Sequence, residues 1–383
     1  MKILLWGVYS PWTINFVENF LLKNDCEVWI LFRGNKREYK DYIEFYKEKR
    51  VHLFEFPSLV SEISDGKGRG DFFKTIYARY LQLKVIVNAG PFDLINMQFI
   101  YYPDLLDVII LKYLMRTKLI LSYWGSDLLR VKESELISKG RYVRHADFIT
   151  FDSIDLEMEF KRMYKWASKT PSKVVLLGLP VLNIINENLE NRAVDDIRRK
   201  WGISRNKTVI AIGYNGIPEQ QHKKVLDAIS KLDGRYKEKI VLILQMSYGG
   251  SRGYRKSVID AVRKTGFEYV DIQSFLSNDE VAELRIITDI FINAQITDAF
   301  SGSVCEYLFA GAILINAKWL CYKELKKYNF QYWEFENFGE VHLLIEQAME
   351  QRMDVSKNRE LVWKLRSWEH CAPKWQKVYK RMW

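Results

Sequence analysis

Short apolar runs recur along the chain, each closed by a turn and followed by a longer stretch with apolar residues three and four apart. Residues 2–8 and 27–33 read as buried strands around a helix over Trp12 to Lys23, a βαβ unit. Val51 to Phe56, Phe92 to Gln98, Lys118 to Ser122 and Ala146 to Ser153 read as further strands or strand ends. Helices over Asp71 to Val87, Asp104 to Met115 and Ile154 to Tyr164 follow or separate them. Residues 36–50 read as a charged, solvated helix or helix pair, Gly66 to Gly70 as a flexible basic loop, and Val174 to Val181 as the last strand of this half. The second half repeats the pattern, with strands at Thr208 to Ile212, Ile240 to Gln245, Tyr269 to Ile272, Ile290 to Ala294 and Ala312 to Asn316. Its helices fall at Val194 to Trp201, Lys223 to Leu232, Tyr254 to Thr265 and Val281 to Ile287. Beyond Asn316 the chain reads as helical, with Pro373 breaking or kinking the last helix. Alternating β and α elements predict an α/β fold of two doubly wound domains. The polar stretch Asn183 to Asp195 reads as a linker, giving domains over 1–185 and 194–360 and terminal helices over 361–383.

A length of 383 residues exceeds one ordinary core, in keeping with two domains. The four cysteines, Cys26, Cys305, Cys321 and Cys371, are scattered, with no metal-ligand spacing, which predicts free thiols in a reducing cytoplasm. No run reaches the about 18 apolar residues that span a bilayer. The opening run, Met1 to Val8, is read as a strand because it is short, Pro11 follows, and no small-residue cleavage site is present. A net charge of +10 with 12 Trp and 22 Tyr points to an anionic partner. No nucleic-acid-binding motif accompanies it, so nucleic acid is not expected. The stretch Asp71 to Val87 mixes Phe72, Phe73, Ile76 and Tyr80 with Lys74, Arg79 and Lys84. It is a candidate membrane-surface helix, and core packing with a solvated face is the alternative.

The densest candidate chemistry lies between Thr297 and Gly311. A strand ends, the small residues Ser301, Gly302 and Ser303 turn the chain, and a helix starts near Val304. Small residues permit close backbone approach, and a helix N-terminus presents free N–H groups, so the segment suits phosphate. Asp298 and Glu306 flank it as acid-x7-acid, and a carboxylate accepts hydroxyl hydrogen bonds from a sugar. Spacing alone fits a plain strand–turn–helix equally well.

This segment resembles the E-x7-E signature of the GT-B glycosyltransferases, with Asp298 in place of the first Glu. The resemblance implies two Rossmann-like domains facing across a cleft, with C-terminal helices returning to the first. It implies that Glu306 binds the nucleotide ribose, while Asp298 and Ser301, Gly302, Ser303 and Val304 face the donor sugar and phosphates. The loop Tyr123-Trp124-Gly125-Ser126-Asp127-Leu128 resembles the His-Gly-x-Asp loop of these enzymes, with Trp for His as in the enterobacterial-antigen acetamidofucosyltransferase branch. Trp124, Gly125 and Ser126 would then lie on the acceptor side, with Asp127 as either a general base or a helix cap. The first loop makes Tyr9 and Trp12 further acceptor-side candidates, though Trp12 also suits a core position. Retaining relatives place an Arg and a Lys in the loop Gly213 to Lys224, and neither stands cleanly here. Asn215 and His222 are the candidate phosphate donors in their stead, with a helix-start surface position as the alternative for His222. Tyr248, after the strand Ile240 to Gln245, is a candidate for stacking on a base, and Phe275 lies where the family holds the base.

The function implied is transfer of a sugar from UDP, GDP or dTDP to a saccharide or lipid-linked hydroxyl acceptor in bacterial surface-polysaccharide assembly. The nucleotide sugar is a co-substrate, and no cofactor or metal is expected. The implied location is the cytoplasm, at the inner face of the membrane if the basic-aromatic helix docks there. A sugar-nucleotide 2-epimerase and a non-catalytic GT-B-like partner protein are the alternatives. The acid-x7-acid motif implies retention of configuration, and the Trp-Gly-Ser-Asp loop implies inversion.

Overall fold

The computed structural model describes residues 1–8, 10–33, 50–54, 72–320, 322–351 and 353–382. Tyr9, Gly66 to Gly70 and nearly all of 36–50 lie outside them. Two compact units make up the chain, the first from 1–178 with 371–383 and the second from 179–370.

In the first unit, β1 (Lys2–Val8), β2 (Glu27–Arg33), β3 (Val51–Leu53), β4 (Leu94–Gln98), β5 (Lys118–Tyr123), β6 (Phe148–Phe151) and β7 (Ser172–Val174) form a sheet in the order β3-β2-β1-β4-β5-β6-β7. Every pairing is parallel. The second unit holds β8 (Thr208–Ile212), β9 (Ile240–Gln245), β10 (Glu268–Ile272), β11 (Ile290–Asn293), β12 (Ile313–Ala317) and β13 (Trp333–Phe335), again all parallel, in the order β10-β9-β8-β11-β12-β13. Helices cover both faces of such sheets, so central strands are apolar throughout. Accordingly all of β9 and β12 is buried. In each sheet the strand order reverses beside its first strand, between β1 and β4 and between β8 and β11. Loops diverge there and leave a crevice at the carboxyl edge, where ligands bind in open α/β sheets.

Three sequence expectations are corrected, and a fourth, that Pro373 breaks or kinks the last helix, loses its first alternative. The polar stretch Asn183 to Asp195 is not a linker, because most of it lies in the helix Val181–Asn191, whose Val181, Leu182 and Ile185 are buried. The region after Asn316 is not wholly helical, because β13 extends the sheet. The helix Ser356–Arg366 belongs to the second unit, and only residues from Cys371 on join the first. Pro373 sits inside the helix Trp368–Arg381 without ending it. It forfeits one backbone hydrogen bond, while Cys371, Trp375, Val378 and Tyr379 stay buried along the same helix.

The returning segment completes the first core. The indole of Trp375 donates to the carbonyl of Leu176 at 3.1 Å, and its ring meets Phe16 edge-on with centroids 4.8 Å apart. Tyr379 packs on Phe20, and its hydroxyl accepts the Asn96 amide at 2.7 Å. Among the described residues no helix is long and apolar enough to cross a membrane.

Candidate functional site

The candidate donor site gathers at the carboxyl edge of the second sheet. β11 ends at Asn293, and the chain then turns into the helix Gly302–Ala310. Phe300 adopts a left-handed φ of 46°, and the buried Arg366 donates to its carbonyl at 2.6 Å. Ser301 caps the helix by accepting from the Val304 N–H at 3.4 Å. The N–H groups of Gly302 and Ser303, in the first turn, have no acceptor inside the helix. Those two N–H groups are the ones a helix start offers to an anion.

Asp298 is held from three sides. Its Oδ2 accepts the hydroxyls of Tyr214 at 3.0 Å and Tyr322 at 2.7 Å, and its Oδ1 accepts the Ala299 N–H at 2.9 Å. Asn293 donates to the Tyr322 hydroxyl at 2.9 Å and to Asn316 at 3.0 Å. Burial first, and the Asp298 charge second, push the phenols of Tyr214 and Tyr322 well above their usual range. Both stay protonated and act as fixed donors.

Glu306 lies on the helix that Ser301 caps. Its Oε2 accepts from Nε of Arg285 at 3.1 Å, and both side chains are buried. Arg285 comes from the helix Asn278–Ile287, which the reciprocal bonds of Ser277 and Glu280 cap. An Arg inside the apolar run Leu284-Arg285-Ile286-Ile287 must find a partner, since an unpaired buried charge is costly. That lone cation was the sequence sign of a buried pair, and the sequence reading passed over it. Gln245, Tyr214 and Tyr322 also belong to the site, although their roles follow only from contacts across the sheet.

Two neighbouring loops complete this edge. Gly249 and Gly250 are both left-handed, and a Cβ on Gly250 would lie 1.7 Å from the Gly216 carbonyl oxygen. This close approach presses the loop after β9 against the loop after β8, where Gly216 N–H donates to the Tyr248 carbonyl at 2.8 Å. Tyr248 leaves 44% of its surface exposed, while its hydroxyl bonds Asn215 and feels the charges of Arg285, Glu306 and Asp298. Asn215 itself is buried, and its Oδ1 accepts the Ile217 N–H at 3.1 Å. Phe275 is 69% exposed.

His222 does not occupy the surface position considered for it. It is fully buried, with Nδ1 3.2 Å from the Tyr254 hydroxyl. Its Nε2 and Oε1 of Gln220 are buried without a partner and lie close above Gly213. Burial lowers the imidazole pKa to about 4, so the ring is neutral near pH 7.

In the first unit, the helix Ser126–Leu129 follows β5, and its cap position is Gly125 with φ 144° rather than Asp127. Asp127 is 2% exposed. Its carboxylate accepts the backbone N–H groups of Ile100 at 2.9 Å, Trp124 at 3.1 Å and Gly125 at 2.8 Å. Burial raises its pKa, opposed by those three bonds and by Lys139. The side chain thus ties the loop after β4 to the loop after β5, rather than standing open to an acceptor hydroxyl. Trp124 is half-buried against Phe99, Ser126 is exposed, and Trp12 is half-buried in the helix Pro11–Phe16. Among the described residues no group of three His, Cys, Asp or Glu is placed to hold a metal.

No protein-family model matches this chain, and no curated protein does. Solved structures match over its whole length. HepE of Anabaena in complex with UDP and glucose is 15% identical, with all of both chains covered and a TM-score of 0.73. A glycosyltransferase of Rickettsia africae is 12% identical, covering 100% of this chain and 98% of that one, with a TM-score of 0.76. Sucrose-phosphate synthase of Thermosynechococcus elongatus is 13% identical, covering 100% and 99%, with a TM-score of 0.75. Two parallel sheets with reversed strand order, matched along their full length by these structures, give this chain the GT-B fold of the nucleotide-sugar glycosyltransferases.

Proposed function

We propose that the protein transfers a hexose from a nucleoside-diphosphate sugar to a hydroxyl acceptor. The observation that carries this reading is the pairing, on one short helix, of a capped N-terminus and Glu306. Oε1 of Glu306 takes no hydrogen bond from the described residues. A diphosphate would meet the N–H groups of Gly302 and Ser303, and a ribose hydroxyl would meet Glu306. Tyr248 and Phe275, both exposed at this edge, would flank the base. Asp298, fixed by two phenols, would face the donor sugar. Backbone dipoles at the helix start would offset the charge of the leaving diphosphate, the electrostatic contribution that often dominates such transfers. UDP is the first nucleotide to try, because HepE is described in complex with UDP-glucose.

A saccharide or lipid-linked acceptor at the inner face of the cytoplasmic membrane fits the first unit. Its helix Phe72–Ala89 carries Lys74, Arg79 and Lys84 with no acidic residue. It exposes Phe72, Phe73, Ile76, Tyr77 and Tyr80 to solvent. Aromatic and basic residues in that mixture suit a membrane surface bearing anionic lipids.

Thermal unfolding with UDP, GDP and dTDP tests the reading, with Glu306→Gln in parallel. A ligand at about 100 times its dissociation constant adds about 2.7 kcal/mol. One nucleotide should raise the midpoint of the wild type, and the rise should shrink in Glu306→Gln. If no nucleotide stabilises the wild type, the transferase reading fails and the non-catalytic partner replaces it.

A further inference from the structure

We propose that Arg285 is a positioning residue for nucleotide recognition, holding Glu306 and Ser303 in fixed relation so that the site reads the two ribose hydroxyls through unequal carboxylate oxygens. This rests on the donor-site reading given above. The guanidinium is 2% exposed and uses three sides of its fork. Nε donates to Oε2 of Glu306 at 3.1 Å, Nη1 to Oε1 of Gln245 at 2.9 Å, and Nη2 lies 3.4 Å from Oγ of Ser303. Its carbon sits 4.1 Å above the Tyr307 ring.

Each contact constrains a different part of the site. Gln245 ends β9, Ser303 stands in the first turn of the helix Gly302–Ala310, and Glu306 follows one turn later. A planar cation with fixed N–H directions locks these three groups in a way that a flexible ammonium does not. Tyr307 packs one face of that plane, so the fork cannot swing out.

Two consequences follow for a ligand. Oε2 of Glu306 already accepts the Arg285 N–H, while Oε1 accepts nothing from the described residues, so the two oxygens are unequal acceptors for a ribose. A cis-diol therefore meets one unshared oxygen and one shared with the guanidinium, and the hydroxyl on the unshared oxygen should count for more than its neighbour. Ser303, by accepting from Arg285, turns its own hydroxyl proton away from the guanidinium, leaving it to donate elsewhere at the helix start.

Titration calorimetry with UDP, 2′-deoxy-UDP and 3′-deoxy-UDP on the full chain tests this, using the wild type and Arg285→Lys. The wild type should bind one deoxy analogue about tenfold more weakly than UDP, the worth of a good hydroxyl contact, and the other within about threefold. Arg285→Lys should bring all three within about threefold of one another. A role in folding alone would weaken all three equally and keep the ratio, which would overturn the proposal. Equal weakening of both deoxy analogues in the wild type would also overturn it. Should Arg285→Lys not fold, Gln245→Leu, which removes the second acceptor of the guanidinium, should show the same narrowing, and an unchanged ratio there would count against Arg285. A wild type that binds no nucleoside diphosphate at all is a different outcome, since it removes the transferase reading itself.

Discussion

The Tyr322 hydroxyl donates to Oδ2 of Asp298 at 2.7 Å while accepting the Asn293 amide at 2.9 Å, so one phenol joins the end of β11 to the loop that follows it. Tyr322→Phe removes both bonds and leaves a buried amide donor with one acceptor fewer. It should cost on the order of 1–3 kcal/mol in urea unfolding. Tyr214→Phe, which leaves the bond between Asn293 and position 322 in place, should cost less. Equal stability of Tyr322→Phe and the wild type would show that the network does not hold the loop.

His222 predicts an acid-sensitive component of stability. Its folded pKa is lowered by burial from 6.5 to about 4. The unfolded chain therefore takes up a proton first as pH falls, and stability present above pH 6.5 is lost on the way down to about pH 4. The loss is on the order of 3 kcal/mol. Comparing wild type and His222→Gln by urea unfolding at pH 7 and pH 4.5 isolates it, because the variant should lack most of this slope.

Asp127 separates a loop staple from a base. Asp127→Asn keeps one oxygen for the N–H groups of Trp124 and Gly125, whereas Asp127→Ala leaves three backbone donors unpaired. The Ala variant should lose about 2–4 kcal/mol and the Asn variant clearly less. Once a donor and acceptor are in hand, Asp127→Asn should keep transfer within about tenfold of the wild type. A folded Asn variant that loses the 10²–10⁴-fold typical of a missing general base would restore the catalytic role.

The helix Phe72–Ala89 makes membrane contact measurable. Vesicles with anionic lipid should sediment the wild type and release it at high salt, while Phe72→Ser with Phe73→Ser should stay in solution. Those two side chains are 70% and 81% exposed, so their loss should leave the thermal midpoint nearly unchanged. Equal sedimentation of both proteins would remove this surface from consideration.

Much of the architecture was readable because buried parallel strands write themselves as apolar runs. β8, β9, β11 and β12 stand almost where the runs place them. β13 escaped because three residues, two of them half-buried at a sheet edge, carry no such run. The helix Val181–Asn191 was hidden by its polar face, Asn183, Asn186, Glu187, Glu190 and Asn191. Within the candidate site, the local part was legible: the small-residue turn, the cap and the two acids sit in one stretch of chain. The partners of those acids were not. Tyr322 lies 24 residues beyond Asp298, Tyr214 lies 84 before it, and Arg285 lies 21 before Glu306. Only the sheet brings them together. The burial of Asp127 and His222 was hidden for the same reason, since burial is a property of what folds over a residue.

The split composition of the first unit sets an order on its biosynthesis. Trp375, which seals that core, bonds a carbonyl 199 residues earlier in the chain. A ribosome therefore delivers every strand of the first sheet, and then the whole second unit, before the last pieces of the first core emerge. The second unit, continuous from 179 to 370, can fold as it leaves the tunnel. The first must wait with Phe16 and Phe20 uncovered, and that interval is when a chaperone would have something to hold.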